Sequence, residues 1–347
     1  MIVYWLACFA AVLIAYYGLQ TDKGQRNKKI VICLAATPLF LIAALRYNVG
    51  SDYMSYWEYY ENILHPFRED YWDIEIVFKL FNLILATLKF APQWVFVFSS
   101  LVFIAAIFSQ IFEDSPYPAL SIFLLMGTGY YFGFFNVMRQ VLGCAILMYS
   151  LRYIPKKRAL PFFACVAIAS GIHVSCAVFA VFYWIGRIRI RPVGALIMSL
   201  LVFGLQYVLG YFFENLVSYT RYFVYLDSIF ANGGTAYVML AINAILMVFA
   251  SVFRSDDPKY RLYYNMQLFN LWVMILSGRV VLILRLMWIF GLSSIVLVPM
   301  ALANIKDAKL RRICTIAIMV LYFIYASYTV GVMNSNHVLP YQTVFSR

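Results

Sequence analysis

Apolar residues run along this chain in long blocks, separated by short loops that are mostly basic. Crossing a bilayer takes roughly 20 apolar residues, within a range of about 17–25. Blocks of that kind fall at 2–19, 30–45, 74–90, 94–112, 119–135, 140–154, 193–213, 236–253, 262–277, 280–303 and 313–331. The stretch 160–186 is too long for one upright helix and is interrupted at Ser170-Gly171-Ile172-His173. It predicts two short, tightly turned helices, with a single tilted span as the alternative. The pattern as a whole predicts an all-α, polytopic transmembrane protein of about 12 spans with room for a re-entrant segment. A single transmembrane domain is expected over residues 1–347, with extracytoplasmic loops at about 46–73 and 214–235.

Composition removes the competing classes. Of 347 residues, 64% are hydrophobic and only 12% are charged, against a globular expectation of about 45–50% and 25%. A soluble protein could not cover itself with so little polar surface, and disorder, coiled coils and secreted disulfide scaffolds are excluded by the same figures. The six cysteines all lie in apolar runs without metal-ligand spacing and read as small buried hydrophobes. Three scattered histidines make a protein-built zinc site a poor reading. The first apolar run lacks a basic segment before it, so no cleavable signal is expected. The net charge of +12 lies largely beside the spans, so topology explains it better than nucleic acid does.

Short basic loops stay cytoplasmic. They are Lys23/Arg26/Lys28/Lys29, Lys156/Lys157/Arg158, Arg187/Arg189/Arg191, Arg254/Lys259/Arg261 and Lys306/Lys309/Arg311/Arg312. Splitting 160–186 puts both its basic flanks inside and His173 outside, together with both termini and the two long loops. One conflict remains. Three apolar runs lie between the loop 46–73 and Arg139, whereas an even number would leave both on one side. Either 74–90 or the glycine-interrupted 119–135 is then partial or re-entrant, which is tolerated where the backbone is buried in protein or lines a wet cavity.

Five arginines stand where positive charge is normally scarce: Arg46, Arg139, Arg221, Arg279 and Arg285. A charge within a bilayer costs about 2.5–3.5 kcal/mol on insertion scales. Arg279 and Arg285 fall on one predicted helix, which would set Arg285 about 9 Å deeper. Snorkelling or pairing with a carboxylate accounts for any single one. Five on the outer side point instead to bidentate capture of phosphate oxygens, hence to a diphosphate near the outer leaflet. Acid–base candidates on that face are Asp52, Glu58, Glu75 and His173, and Asp52 is close enough in sequence to Arg46 for an ion pair. Glu75, opening a span, also suits the positive end of a helix dipole. The tyrosines and tryptophans of 46–73 serve as an interfacial belt or as flat faces for sugar rings. No phosphate loop, dinucleotide fingerprint or hydrolase elbow is present.

Arg-Tyr-Asn-Val-Gly-Ser-Asp-Tyr at 46–53, Asn-Val-Met-Arg-Gln at 136–140 and His-Val-Ser at 173–175 occur in the order seen in the EpsG family, and the chain resembles that family. Glu75, Thr-Arg-Tyr at 220–222 and Leu-Pro-Tyr-Gln at 339–342 look similar too. The family comprises Wzy-type bacterial polysaccharide polymerases. The resemblance implies an inner-membrane enzyme related to the lipid-dependent, GT-C-like glycosyltransferases, joining undecaprenyl-diphosphate-linked oligosaccharide units on the extracytoplasmic side. It implies no metal and no other cofactor, lipid-linked donor and acceptor as partners, and room for a chain-length regulator protein. Carried over, Arg46, Arg139, Arg279 and Arg285 would bind the diphosphates, with Arg221 contributing from its loop. Asp52 or His173 would be the general base, and Glu75, Asn136, Gln140 and Tyr341 would support the site. The competing readings are a flippase or other transporter for lipid-linked sugars, an O-antigen ligase, and a membrane acyltransferase or a metal-dependent enzyme that transfers monosaccharides from a lipid monophosphate, the last with Asp52, Glu58 and Glu61 as its acidic residues.

Overall fold

The computed structural model describes residues 1–21, 26–64, 74–217 and 234–346. Among them the architecture is all-α, without a β-strand beyond one isolated antiparallel bridge between Arg46 and Thr343. Helix α1 (Ile2–Gln20) runs the length of the bundle and α2 (Lys28–Ala44) returns beside it. A short helix, α3 (Tyr53–Asn62), follows, then α4 (Ile76–Thr87). Next, α5 (Gln93–Asp114) crosses, the broken pair α6 (Pro118–Gly127) and α7 (Tyr130–Asn136) comes back, and α8 (Met138–Ser150) descends. Helix α9 (Ala159–Ile172) rises to a turn at His173, from which a 3₁₀ segment (Val174–Val181) and α10 (Phe182–Ile185) go back. The second half holds α11 (Pro192–Val217), α12 (Gly234–Val252) and α13 (Pro258–Leu276). A 3₁₀ segment (Val281–Leu286) then leads into α14 (Met287–Phe290) and α15 (Ser294–Ala303), and α16 (Ala308–Ala326) ends in a π-helical turn (Ser327–Val332).

Two ends of the bundle differ chemically. At one end the basic loops are tied together through backbone carbonyls. Lys28 Nζ donates to the Phe112 carbonyl at 2.6 Å, Arg187 Nε to Ile154 at 3.2 Å, Arg254 Nη1 to Ile190 at 2.8 Å and Asn304 Nδ2 to Phe253 at 2.9 Å. Lys259 pairs with Asp114 at 2.7 Å, and Asp307 caps α16 by accepting from the Leu310 N–H. The other end gathers the loop 45–52, the α7–α8 junction, the His173 turn and the segment 334–346, which folds back over the loop. There the Tyr47 N–H donates to the Gln342 carbonyl at 3.0 Å and the Gly50 N–H to His337 at 2.9 Å.

Among the described residues, five helical stretches are long and apolar enough to cross a membrane: Ile2–Gln20, Gln93–Asp114, Pro192–Phe212, Ile283–Ala303 and Ala308–Val332. The α6–α7 pair, bent by 48° at Thr128-Gly129, makes a sixth. On length and composition the described residues therefore do not confirm the expectation of about twelve spans, because several apolar blocks form short helices instead. The block 160–186 is one of them. Phe162 packs on Phe179 and Tyr183, with centroids 6.0 and 5.2 Å apart, so the two short helices lie side by side as expected from the break.

The block 74–90 settles the parity conflict. It forms only the 12-residue α4, about 18 Å long against a hydrocarbon thickness of about 30 Å. Both of its ends belong to the end of the bundle away from the basic loops. Glu75 pairs with Arg139, and the Phe90 carbonyl accepts from Tyr60 Oη at 2.7 Å. Gln93, opening α5, donates to the Ala44 and Arg46 carbonyls. Helix α4 thus leaves and returns to the same end, while α5 and the bent α6–α7 pair make the two crossings. The core lies along α7, α8, α13 and α15, where 72% of the Ile283–Ala303 window is buried. By contrast α11 and α16, with 17% and 11% buried, present apolar sides outward, as a lipid-facing helix does.

Candidate functional site

A break in the chain at Val137 (φ −80°, ψ 53°) separates α7 from α8 and places Arg139 in the first turn of α8. Its Nη1 donates to Glu75 Oε2 at 2.5 Å. The other oxygen of Glu75 accepts the Val174 N–H at 2.9 Å and lies 3.8 Å from His173 Nδ1. One carboxylate therefore joins α4, α8 and the His173 turn. Glu75 sits at the N-cap of α4, where its charge suits the helix dipole, but it makes no side-chain cap; its oxygens serve this three-way junction.

His173 has extended backbone (φ −152°, ψ 119°), which ends α9. Its Nδ1 accepts the Ser175 N–H at 3.3 Å and lies 3.2 Å from Ser175 Oγ. Burial pushes this imidazole down to about 4; Glu75 opposes the shift, and the charges of Arg139 and Arg285 add to it. A neutral ring whose Nδ1 is an acceptor carries its proton on Nε2 and offers a donor. Gln140, buried, donates from Nε2 to Ser175 Oγ at 3.2 Å and to the Arg285 carbonyl at 2.8 Å. Arg285 itself is exposed.

Asp52 begins α3 and accepts Ser51 Oγ at 2.9 Å. Four residues on, Tyr56 stands close enough to feel the charges of both Arg139 and Asp52, so it lies between the acidic and basic halves of the cluster. Asn136 completes the frame: its Oδ1 accepts the Ser51 N–H at 2.9 Å and its Nδ2 donates to Asn336 Oδ1 at 3.3 Å. Arg139, Glu75, His173, Gln140, Asn136, Asp52 and Arg285 are thus brought to one region. Tyr56 and Ser175 belong there too. The Asp52/Tyr56 spacing of four residues, which puts both on one helix face, is the signal that identifies Tyr56.

Other expected residues are placed differently. Arg46 is fully buried, with its Cζ 5.4, 5.3 and 4.3 Å from the ring centroids of Phe96, Phe134 and Phe135. Nη2 donates to Met138 Sδ at 3.6 Å, while Nε and Nη1 have no hydrogen-bond partner among the described residues. The expected ion pair with Asp52 does not form, and the guanidinium, wholly buried among the three rings, is not open to a diphosphate in this structure. Arg279 lies in the turn after α13, ahead of the 3₁₀ segment that carries Arg285, so the two do not share a helix. Its guanidinium stacks 5.1 Å from the Tyr207 ring, and no hydrogen bond or ion pair joins it to the Arg139 group among the described residues. Tyr341 is a packing residue, donating to the Ile42 carbonyl at 3.0 Å with its ring 5.5 Å from Tyr4. Arg221 lies outside the described residues.

The aromatic run also resolves in part. Tyr53 stacks on Phe96 at 4.2 Å, and Tyr53, Tyr59 and Tyr60 are buried, so these three serve neither as belt nor as sugar platform. Among the described residues no three His, Cys, Asp or Glu side chains gather as a metal-binding group.

Fold and site together define an all-helical membrane protein with a guanidinium–carboxylate cluster at the end opposite its basic loops. A family model, the EpsG family, matches residues 29–343. The chain belongs to the EpsG family. No match is found among curated proteins or among solved structures.

Proposed function

We propose that this protein is a polysaccharide polymerase of the bacterial inner membrane. In this reading it joins undecaprenyl-diphosphate-linked oligosaccharide repeat units on the extracytoplasmic side, as a GT-C-like, metal-independent glycosyltransferase. Family membership supports a polysaccharide polymerase role. The observation that carries the finer reading is the convergence of Arg139, Glu75, His173, Arg285 and, through Tyr56, Asp52 at the end away from the basic loops. Positive loops stay cytoplasmic, which supports an outside position for the cluster.

The reaction needs two things of the chain. Arg285, exposed, and Arg139, fixed by Glu75, stabilise negative charge on the departing diphosphate. Asp52 takes the proton of the acceptor sugar hydroxyl as its oxygen bonds to the anomeric carbon. The bond from that carbon to the diphosphate oxygen breaks, undecaprenyl diphosphate leaves with the electron pair, and the configuration inverts. A second lipid-linked unit is the acceptor, and a chain-length regulator protein is a further partner in this reading.

The test is reconstitution in vesicles with a purified lipid-linked repeat unit, followed by separation of products by size. A ladder of lengths is expected from the wild type, and activity undiminished by EDTA. Arg139→Ala is expected to leave single lipid-linked units on the outer leaflet without a ladder. Units stranded on the inner leaflet would support transport instead, transfer onto a non-repeat acceptor would support a ligase, and a strict need for magnesium or manganese would sink the metal-independent scheme.

A further inference from the structure

At the basic end, on the outer side of the bundle, α1, α6 and α16 leave a groove of about 950 Å³. Its walls are apolar, with Ala15 and Leu19 from α1, Leu120 from α6 and Met319 from α16. Two guanidiniums, Arg311 and Arg312, also line it. Arg311 Nη1 donates to the Ile305 carbonyl at 3.1 Å, which fixes the side chain and leaves its remaining N–H groups for another acceptor. Neither arginine is paired with a carboxylate among the described residues. The wall along α16 extends from Ala308 to Met319, eleven residues or about 16 Å. That is about half the hydrocarbon thickness of a bilayer, the depth of a single leaflet.

We infer that this groove binds an anionic phospholipid of the leaflet on the basic side, one acyl chain in the slot and the phosphate on Arg311 and Arg312. Two features select this occupant. Any lipid tail would fill an apolar slot in a membrane without preference, since the tails already surround it. The arginines supply the preference, because basic pockets between helices at an anionic surface recognise negatively charged headgroups, and the guanidinium fork fits phosphate oxygens. The site is separate from the Arg139 cluster, which stands at the other end of the helices, and the inference does not rest on the proposed reaction.

The experiment is native mass spectrometry of the full-length protein in detergent, with equimolar phosphatidylglycerol and phosphatidylcholine as probes. The wild type is expected to retain phosphatidylglycerol about thirtyfold over phosphatidylcholine, given two basic side chains at the headgroup. The paired change Arg311→Gln and Arg312→Gln is expected to bring that ratio to about one, because the neutral amide keeps the length but not the charge. Thr315→Trp, which fills the slot and leaves both charges, should release the retained lipid. Lys156→Gln with Arg158→Gln, on the same end but outside the groove, should leave the ratio unchanged. A wild type that retains both lipids equally overturns the inference. So does a double variant with its preference intact, a filled slot that still holds lipid, or a control pair that abolishes the preference, since the last would mean diffuse surface attraction.

Discussion

Glu75 is where the site's electrostatics are decided. Its side chain and that of Arg139 are about one-fifth to one-quarter exposed, so the pair is only partly desolvated. Removing one member of such a pair costs more than the pair is worth, because the survivor stays in a poor solvent; about 2–5 kcal/mol is usual. Glu75→Ala is therefore expected to lower chain extension about as far as Arg139→Ala. The double variant should lose little more than either single one, and rates from vesicle assays check that non-additivity. Two independent losses that multiply would show that the residues do not act as a unit. His173 carries a pH prediction. Its folded value of about 4 lies below the unfolded value near 6.5, so the unfolded chain binds the extra proton between those limits. Stability therefore falls as pH drops from about 6.5 to about 4 and is unaffected by this group above that window. His173→Gln should flatten the decline in thermal midpoint over that range, and a decline as steep as in the wild type would show that the imidazole is not the source.

Chain breaks, more than helices, place these side chains. Gly50 has φ +98°, and a Cβ there would stand 2.3 Å from the Phe135 carbonyl oxygen. The loop passes so close to α7 that its Ser51 N–H meets Asn136. Gly50→Ala is expected to lower stability by about 1–3 kcal/mol through the backbone conformation alone, visible as a drop in thermal midpoint, and an unchanged midpoint would mean the loop is loosely held. Gly129, at φ +87°, turns α6 into α7 with open space around it, so there the conformation is the constraint. The His173 turn was legible in sequence because Ser170-Gly171 interrupts an overlong apolar block with a basic loop on each side. Helix α4 was legible only as a parity conflict: hydropathy measures how apolar a segment is, and it is the bonds of Glu75, Phe90 and Gln93 that bring both ends to one side. Arg46 misled for a related reason. A charge at the end of an apolar block looks like a ligand site, while the rings enclosing it come from positions 96, 134 and 135, far along the chain. Stacking on those rings depends on the planar guanidinium. Arg46→Lys should consequently be less stable than Arg46→Met, which fills the box without a charge; the reverse order of thermal midpoints would argue that the charge itself is needed.

At the scale of the whole molecule, sidedness joins the chemistry to the fold. The basic loops share one end through carbonyl contacts between elements far apart in sequence, such as Arg254 with Ile190 and Asn304 with Phe253. The Arg139 cluster shares the other with the segment 334–346, whose backbone is bonded to residues 45–50. That segment also accepts Tyr4 Oη at the Val338 carbonyl, 2.8 Å, so α1 and α2 are held by the far end of the chain. Short Lys/Arg-rich loops tend to remain on the cytoplasmic face, so under the proposed function the Arg139 cluster is expected on the outer side. Single cysteines introduced at Asp52 and Arg285, in a background without the six native cysteines, should react with a membrane-impermeant maleimide added to intact cells. Cysteines at Lys156 and Arg189 should react only after the membrane is opened. Both pairs reacting from outside would break the division into two ends. The inverse pattern would leave the fold intact and turn the guanidinium cluster toward the cytoplasm, where outward-facing repeat units could not reach it.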